Sequence, residues 1–535
     1  MSDAASRQTL LFGGPVYTME DDYPREAVLI AGDRIVHAGS QSVAEFISSP
    51  GCRKIDLKGA AVYPGFEDSH IHLAQWCFRQ SEIDLFSVKS LHEALSLMRS
   101  RSTEFGPGEW VRGGGWDKNV WGCFPTATDL DSVFPANPVV LGSKDGHSIW
   151  VDSVALRISG ITRDTVAPPG GAILKGSQGD PTGILQDNAE GLVYRAAPER
   201  DLEHTVRALS QGLKRLLSMG VTAVQVAEGA GTLRALQVLR EREGLPVRVT
   251  MMVPTHGLRE VTGSGFRYRF GDEWLKLGPV KMFKDGSLGA STAYMFEPYE
   301  GREGYTGLQT MTPEENDRVV REAVEAGFPV ACHAIGDRAC HEALDSIEKG
   351  GKPDAPGARH RIEHAQLLRP EDIERFGKLC VVASVQPGHA TADRYTADEQ
   401  WGKRARYAYA FKSLLSSGAV LAFGSDAPVE IPDPLLGIYS AVARKRPAEP
   451  ESAPWYPEER LSMFEAVSGY TRGAAYAVGD ERIRGAISSG KLADLVILSG
   501  DLFRMPEDDI MGLEVRGVVS GGRLSGDLAL AAETF

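Results

Sequence analysis

From about residue 205 onward, short apolar runs that end in glycine or polar residues alternate with amphipathic stretches. GVTAVQVAEG (220–229), PVRVTMMVP (246–254), GPVKMFKDG (278–286), FPVACHAIG (328–336), RHRIEHAQ (359–366), VVASVQPGH (381–389) and GAVLAFGSDAP (418–428) have the near-continuous apolar texture of strands buried on both faces. AVYPGFEDSHIH (61–72) makes an eighth, first in the chain. Between them the spacing turns helical. Leu202, Val206, Leu209, Leu213, Leu216 and Leu217 share one helical face, and Gly220 is a stop. Thr312, Pro313 and Glu315 supply a cap, a first-turn proline and a capping-box acceptor ahead of Val319, Val320 and Val324, with Gly327 closing the helix. Ser462 and Glu465 repeat the box. Repeated strand-then-helix units demand parallel strands with right-handed crossovers, and eight of them close most naturally into a (β/α)8 TIM barrel. A doubly wound open sheet is the competing α/β arrangement.

Two regions break the alternation. TLLFGGPVYTM, AVLIAGDRIVHAG and KIDLKGAAV near the start, and GAISSGKLADLVILSG through VRGVVSGGRL near the end, alternate with turn glycines in the manner of small antiparallel sheets. Residues 1–60 and 485–535 are therefore expected to pair into one composite β-sandwich, with the barrel formed by 61–73 and 201–484. Residues 74–200 are far longer than a strand-to-helix connection needs and read as an inserted α/β unit that overhangs the active site.

Composition narrows the function classes. With 42% hydrophobic and 24% charged residues the chain has ample apolar surface for a core. A net charge of −14 argues against a nucleic-acid or anionic-membrane partner, both of which need a basic surface. The first residues, MSDAASRQTL, lack the basic-then-apolar pattern of a signal peptide, and no run reaches about 18 apolar residues, so the cytoplasm is the expected location. Cys52, Cys77, Cys123, Cys332, Cys340 and Cys380 show no CxxC spacing and read as buried thiols. The glycines at 113–115 lack the strand–GxGxxG–helix context of a nucleotide loop.

Active sites of such barrels lie at the carboxyl ends of the strands, so the residues standing there carry the chemistry. Strand one ends in His70 and His72, strand four carries Lys281, strand five ends in His333, strand six in His364 and strand eight in Asp426. His70 and His72 share a face because strand side chains repeat every two residues. Four imidazoles and a carboxylate suit zinc or another divalent transition metal, and they are too many for one tetrahedral ion with an open position, so two ions are expected. Lys281 shares an inward face with Phe283 and Asp285, whereas Lys284 points away. An ammonium beside two cations is repelled, but a lysine desolvated into neutrality reacts with carbon dioxide to give a carbamate, so a carboxylated Lys281 bridging the metals is expected. Cys332 must face away from its neighbour His333.

PGFEDSHIHL, VKMFKDGSLGASTA, CHAIGDRA, RIEHAQ, SVQPGHATAD, FGSDAPVE and the final GKLADLVIL resemble the amidohydrolase superfamily, specifically its amidohydrolase family 3 or YtcJ-like branch, over nearly the whole chain. The resemblance implies a TIM barrel with a composite β-sandwich, an insertion after the first strand and a one- or two-metal hydrolytic centre. It places His70, His72, Lys281, His333, His364 and Asp426 at the ligand positions, with Asp426 also taking the proton of the attacking water and delivering it to the leaving amine. Trp116 and Asp117 in GGGWDKN, His147 in KDGHSIW, and Gln386 and His389 in VQPGH resemble family motifs that face the substrate, with core packing the competing role for Trp116 and a structural hydrogen-bonded pair for Asp117 and His147. Asp337 and Arg338 read as supporting residues or a helix start. Glu67 stands where the family usually has an apolar residue, and a homodimer is implied by the resemblance alone.

The resemblance supplies the preference for an amide or N-acyl (including N-formyl) bond of a small molecule. The same ligand cage could serve an ester or lactone hydrolase or a heterocycle deaminase. A ligand-binding protein without chemistry is the rival from another class, and the full cage with an intact Asp426 argues against it.

Overall fold

The structure, a computed structural model, describes residues 8–143, 148–168, 171–187, 189–198, 201–289 and 291–528. Met1–Ala74 with Leu209–Phe535 forms one compact unit, and Gln75–Ala208 forms another.

The first unit contains eight parallel strands paired in chain order: β1 (Phe66–Ile71), β2 (Val221–Val226), β3 (Arg248–Pro254), β4 (Leu275–Phe283), β5 (Val330–Ala334), β6 (Arg361–His364), β7 (Val382–Val385) and β8 (Leu421–Phe423). Helices packed outside allow the strands to be buried on both faces, as their continuous apolar runs require. The barrel is tied shut just beyond β8, where the Asp426 N–H donates to the His70 carbonyl at 2.7 Å and the His72 N–H to the Ala427 carbonyl at 2.8 Å. That closure brings the first and last motifs of the barrel together at its carboxyl rim.

The helices follow their sequence signals. Leu202–Ser218 lies between the insertion and β2. Thr312 caps Pro313–Glu325 with a complete capping box, and Ser462 does the same for Met463–Ser468, which runs on through a π-turn at Gly469–Gly473. Such wide turns interrupt helices rarely, and often close to functional sites.

Both chain ends combine in one mixed sheet, ordered Arg523–Ser525, Val515–Ser520, Leu495–Leu498, Ala61–Pro64, Gln8–Tyr17, Pro24–Ala31 and Arg34–Gly39, with Arg53–Asp56 also pairing with Gln8–Tyr17. Leu11, Val28, Ile55, Val62, Leu495, Ile497 and Val519 pack in one shared core. Residues 61–64 belong to this sheet, not to the first barrel strand: Ala61–Pro64 pairs antiparallel with Leu495–Leu498, and the barrel strand starts after Gly65. Proline cannot donate to a ladder, so the strand ends there, and Gly65 carries the chain across at close quarters. A Cβ at Gly65 would stand 2.2 Å from Thr222 Oγ1.

The second unit has its own six-stranded mixed sheet, ordered Gly171–Lys175, Pro181–Asp187, Ser148–Val151, Val139–Ser143, Val111–Trp116 and Ile83–Asp84. Ile83, Leu85, Trp116, Leu130, Phe134, Leu141 and Trp150 lie in its core. Among the described residues, no helix is long and apolar enough to cross a membrane.

Candidate metal centre

At the carboxyl rim, His70, His364 and Asp426 each offer a ligand atom, and these atoms all lie within 4.8 Å of one another. His70 comes from the end of β1 and His364 from the end of β6. Asp426 follows β8, and its backbone tie to His70 fixes the spacing between the two. Asp426 Oδ1 stands 3.4 Å from His70 Nε2 and 3.3 Å from His72 Nε2, yet it is buried without a hydrogen-bond partner among the described residues. A buried, unsatisfied carboxylate oxygen facing several imidazole nitrogens is a costly arrangement in a bare protein and fits a cation. The nitrogen and oxygen donors suit zinc or a similar divalent ion.

Ring orientation is set from behind. His70 Nδ1 lies 2.5 Å from Glu363 Oε2, and an ionised carboxylate can only accept, so Nδ1 carries the proton and Nε2 presents its lone pair to the rim. His364 is fixed in the same sense, its Nδ1 2.8 Å from Gln386 Oε1. The backbone is also constrained. His364 has φ 73°, Ala365 43° and Asp426 56°, all in the left-handed region that side chains other than glycine rarely adopt. Strain held at the ends of β6 and β8 is characteristic of functional sites.

Lys281, on β4, is buried with Nζ 3.4 Å from His70 Nε2 and 4.9 Å from the centre of the Phe283 ring. Burial pushes its ammonium down to about 8. Lys284 points away as its position predicts, bonded to the Met311 carbonyl and to Glu342 at 2.7 Å. Phe283, expected on the inward face with Lys281, is 47% exposed and sits against His333 at 5.4 Å. Asp285 is buried and accepts from the Ile335, Gly336 and Tyr294 amides, which fastens β4 to the start of the helix after β5. The His333 ring lies 4.4 Å from that of His364, but its Nε2 donates to the Gly286 carbonyl at 2.9 Å, leaving Nδ1 as its lone-pair nitrogen. Cys332 is buried on the opposite side of the strand, and Cys77 and Cys340 are buried too, but Cys123 and Cys380 are exposed and Cys52 is half-buried, so the expectation of six buried thiols fails for three of them.

His70, His333 and His364 are neutral near pH 7, as metal ligands must be. Burial, reinforced by the Lys281 charge, pushes His70 down to about 4 and His333 to about 3, and burial drives His364 well below its usual value. Burial raises Asp426, but the adjoining His72, His364 and His70 outweigh it and hold the carboxylate well below its ordinary range.

Gln386 and His389 follow β7 and are buried, and Gln386 Nε2 and His389 Nε2 have no hydrogen-bond partner among the described residues. The His389 ring is parallel to that of His364, 6.3 Å away. Trp116 and Asp117 belong to the second unit. Trp116 is packed in that unit's core, its indole N–H donating to the Leu141 carbonyl at 2.8 Å. His147 lies outside the described residues. Asp337 starts the helix Asp337–Gly350 and accepts from the Phe296 amide, so the pair after His333 is a helix start.

Reading strand ends misses the residues one layer deeper. Asp68 accepts from the His70 amide, the Ser425 amide and the Ser425 hydroxyl, joining β1 to the segment after β8. Glu363 and Arg361 form a bidentate pair inside the barrel. Their signal was present in RIEH: charges two apart in a buried strand must face inward and must be paired.

A (β/α)8 barrel with a composite end sheet and a histidine–carboxylate cluster at its carboxyl rim defines a metal-dependent hydrolase class of architecture. The chain belongs to the amidohydrolase family, whose model matches residues 53–525. It is 34% identical over 529 residues to the amidohydrolase-described YtcJ of Bacillus subtilis (strain 168), covering 96% of this chain and 98% of that protein. It is 26% identical to the N-substituted formamide deformylase of Arthrobacter pascens, over 92% and 93% of the two chains. A crystal structure of an uncharacterized metal-dependent hydrolase from Pyrococcus furiosus superposes with a TM-score of 0.79 at 30% identity, over 93% of this chain and 100% of that one.

Proposed function

We propose that the protein hydrolyses a C–N bond, an amide or N-acyl (including N-formyl) bond of a small organic molecule, at a centre of divalent metal, zinc in our reading. His70, His72, His333, His364 and Asp426 hold it with a carboxylated Lys281, and the size of this set favours two ions. The observation that carries the proposal is the convergence of His70, His364 and Asp426 around a buried carboxylate oxygen with no partner of its own. Membership of the amidohydrolase family and the similarity to a formamide deformylase support the bond type.

A divalent ion bound there supplies Lewis acidity toward a carbonyl and lowers the pKa of water. Asp426 is ionised at neutral pH, so it can take the proton of the attacking water and return it to the departing nitrogen, leaving a carboxylic acid and an amine. Gln386 Nε2 is a buried donor near the rim that can hydrogen-bond the carbonyl oxygen as it gains charge, and His389 Nε2 can do the same in the tautomer that carries its proton there. Lys281 reaches carbamate form when its neutral amine adds to carbon dioxide and releases a proton, and burial, by lowering its ammonium to about 8, makes a minor share of that neutral amine available near physiological pH.

The test is a screen of metal-loaded protein on N-formyl and N-acyl amines and amino acids, lactones, esters and cyclic amides, with Asp426→Asn as the blank. Amine and carboxylate release is expected from the N-acyl group, and Asp426→Asn should lose turnover while keeping most of its metal. Ammonia release from a heterocycle, or turnover confined to lactones or esters, would replace the amide assignment.

A further inference from the structure

Below the rim, the barrel encloses a file of polar side chains that hydrolysis does not use. Glu67 on β1 is 2% exposed, and Gln225 on β2, Arg361 and Glu363 on β6 are 0% exposed. Charged groups so placed are costly unless every polar atom is matched, and here the matching has a direction. Glu67 Oε2 accepts from Arg484 Nη1 at 2.5 Å, and its Oε1 accepts from Gln225 Nε2 at 2.7 Å. Gln225 Nε2 also donates to the Ala474 carbonyl at 2.9 Å, so both amide hydrogens are engaged and Oε1 faces Arg361, which donates to it. Arg361 is clamped further by the Ser69 carbonyl and Ser384 Oγ, both at 2.6 Å, and grips both oxygens of Glu363. Glu363 then accepts from His70 Nδ1 at 2.5 Å.

Each member's role follows from its chemistry. A carboxylate only accepts, a guanidinium only donates, and the glutamine amide between them can satisfy both in one orientation alone. We propose that Glu67 is a positioning residue for His70: through Gln225, Arg361 and Glu363 it holds the imidazole in the Nδ1–H tautomer, with Nε2 turned to the rim. The consequence for metal binding rests on the function proposed above. The tautomer itself is a property of the metal-free chain.

The experiment uses full-length protein labelled with ¹⁵N-histidine, with His70 assigned by its loss in His70→Asn. Metal-free samples give the tautomer from long-range ¹H–¹⁵N correlations, and cobalt(II) titration against a competing chelator gives the affinity. Wild type should show a single Nδ1–H form. Glu67→Gln should shift the His70 ¹⁵N signals toward a mixture and weaken cobalt binding by about tenfold, with Glu363→Gln, one step nearer, weakening it by up to about a hundredfold. Because Glu67→Leu alone leaves a buried guanidinium, the pair Glu67→Leu with Arg484→Leu removes both ends together. Folded Glu67 variants with wild-type His70 signals and affinity overturn the proposal, as does a wild-type His70 protonated on Nε2. A wild-type protein that binds no divalent metal instead defeats the proposed function, while the tautomer signals still decide the role of Glu67.

Discussion

The two sides of the rim are built differently. His70 and His364 are aimed by side chains: Glu363, 293 positions from His70, and Gln386, 22 positions from His364. Both present Nε2. His333, on the other side, is aimed by a backbone carbonyl, that of Gly286, and presents Nδ1, while its neighbour Lys281 has a single buried nitrogen. The first side is therefore open to tuning by point substitution of its supports. The second is set by the path of the loop after β4, which Asp285 fastens to the start of the helix after β5, so its aim depends on backbone more than on side-chain supports.

Four substitutions break or sharpen that contrast. Asp426→Asn should have the largest effect, lowering kcat by about a thousandfold or more through loss of the proton acceptor. Metal content by atomic emission should fall far less. Lys281→Ala attacks the second side and should leave about one ion per chain, with activity partly restored by added short-chain carboxylates. A lack of rescue would speak against the carbamate, as would the absence of a carbamate signal in protein equilibrated with ¹³C-bicarbonate. Glu363→Gln attacks the first side through its support, and metal affinity should drop about 10- to 100-fold with the ligands intact. Thr312→Ala, a cap remote in sequence from every proposed ligand, should cost about 1 kcal/mol in thermal or denaturant unfolding and leave metal affinity unchanged.

The sequence carried most of this arrangement, for identifiable reasons. Barrel strands buried on both faces write themselves as apolar runs, so six proposed ligands could be located by asking what stands at their ends. Capping boxes at Thr312 and Ser462 are local chemistry and appear where their residues predict. The boundary at Gly65 was not legible, because AVYP and FEDSHI are both apolar enough for strands and only pairing partners separate them. The orientation of His333 was not legible either, since it depends on a carbonyl 47 positions away. The polar file behind His70 lay half in view. RIEH announces two inward charges, but nothing in the sequence says that Gln225 and Glu67 complete the set.

The most direct test of the central claim is anomalous diffraction at the zinc edge from crystals grown with the metal. Peaks should fall about 2.0–2.2 Å from His70 Nε2, His364 Nε2 and an Asp426 carboxylate oxygen, with Lys281 bearing extra carboxylate density beside them. No peak at that rim, or a peak held by other residues while these three stay empty, would contradict the account.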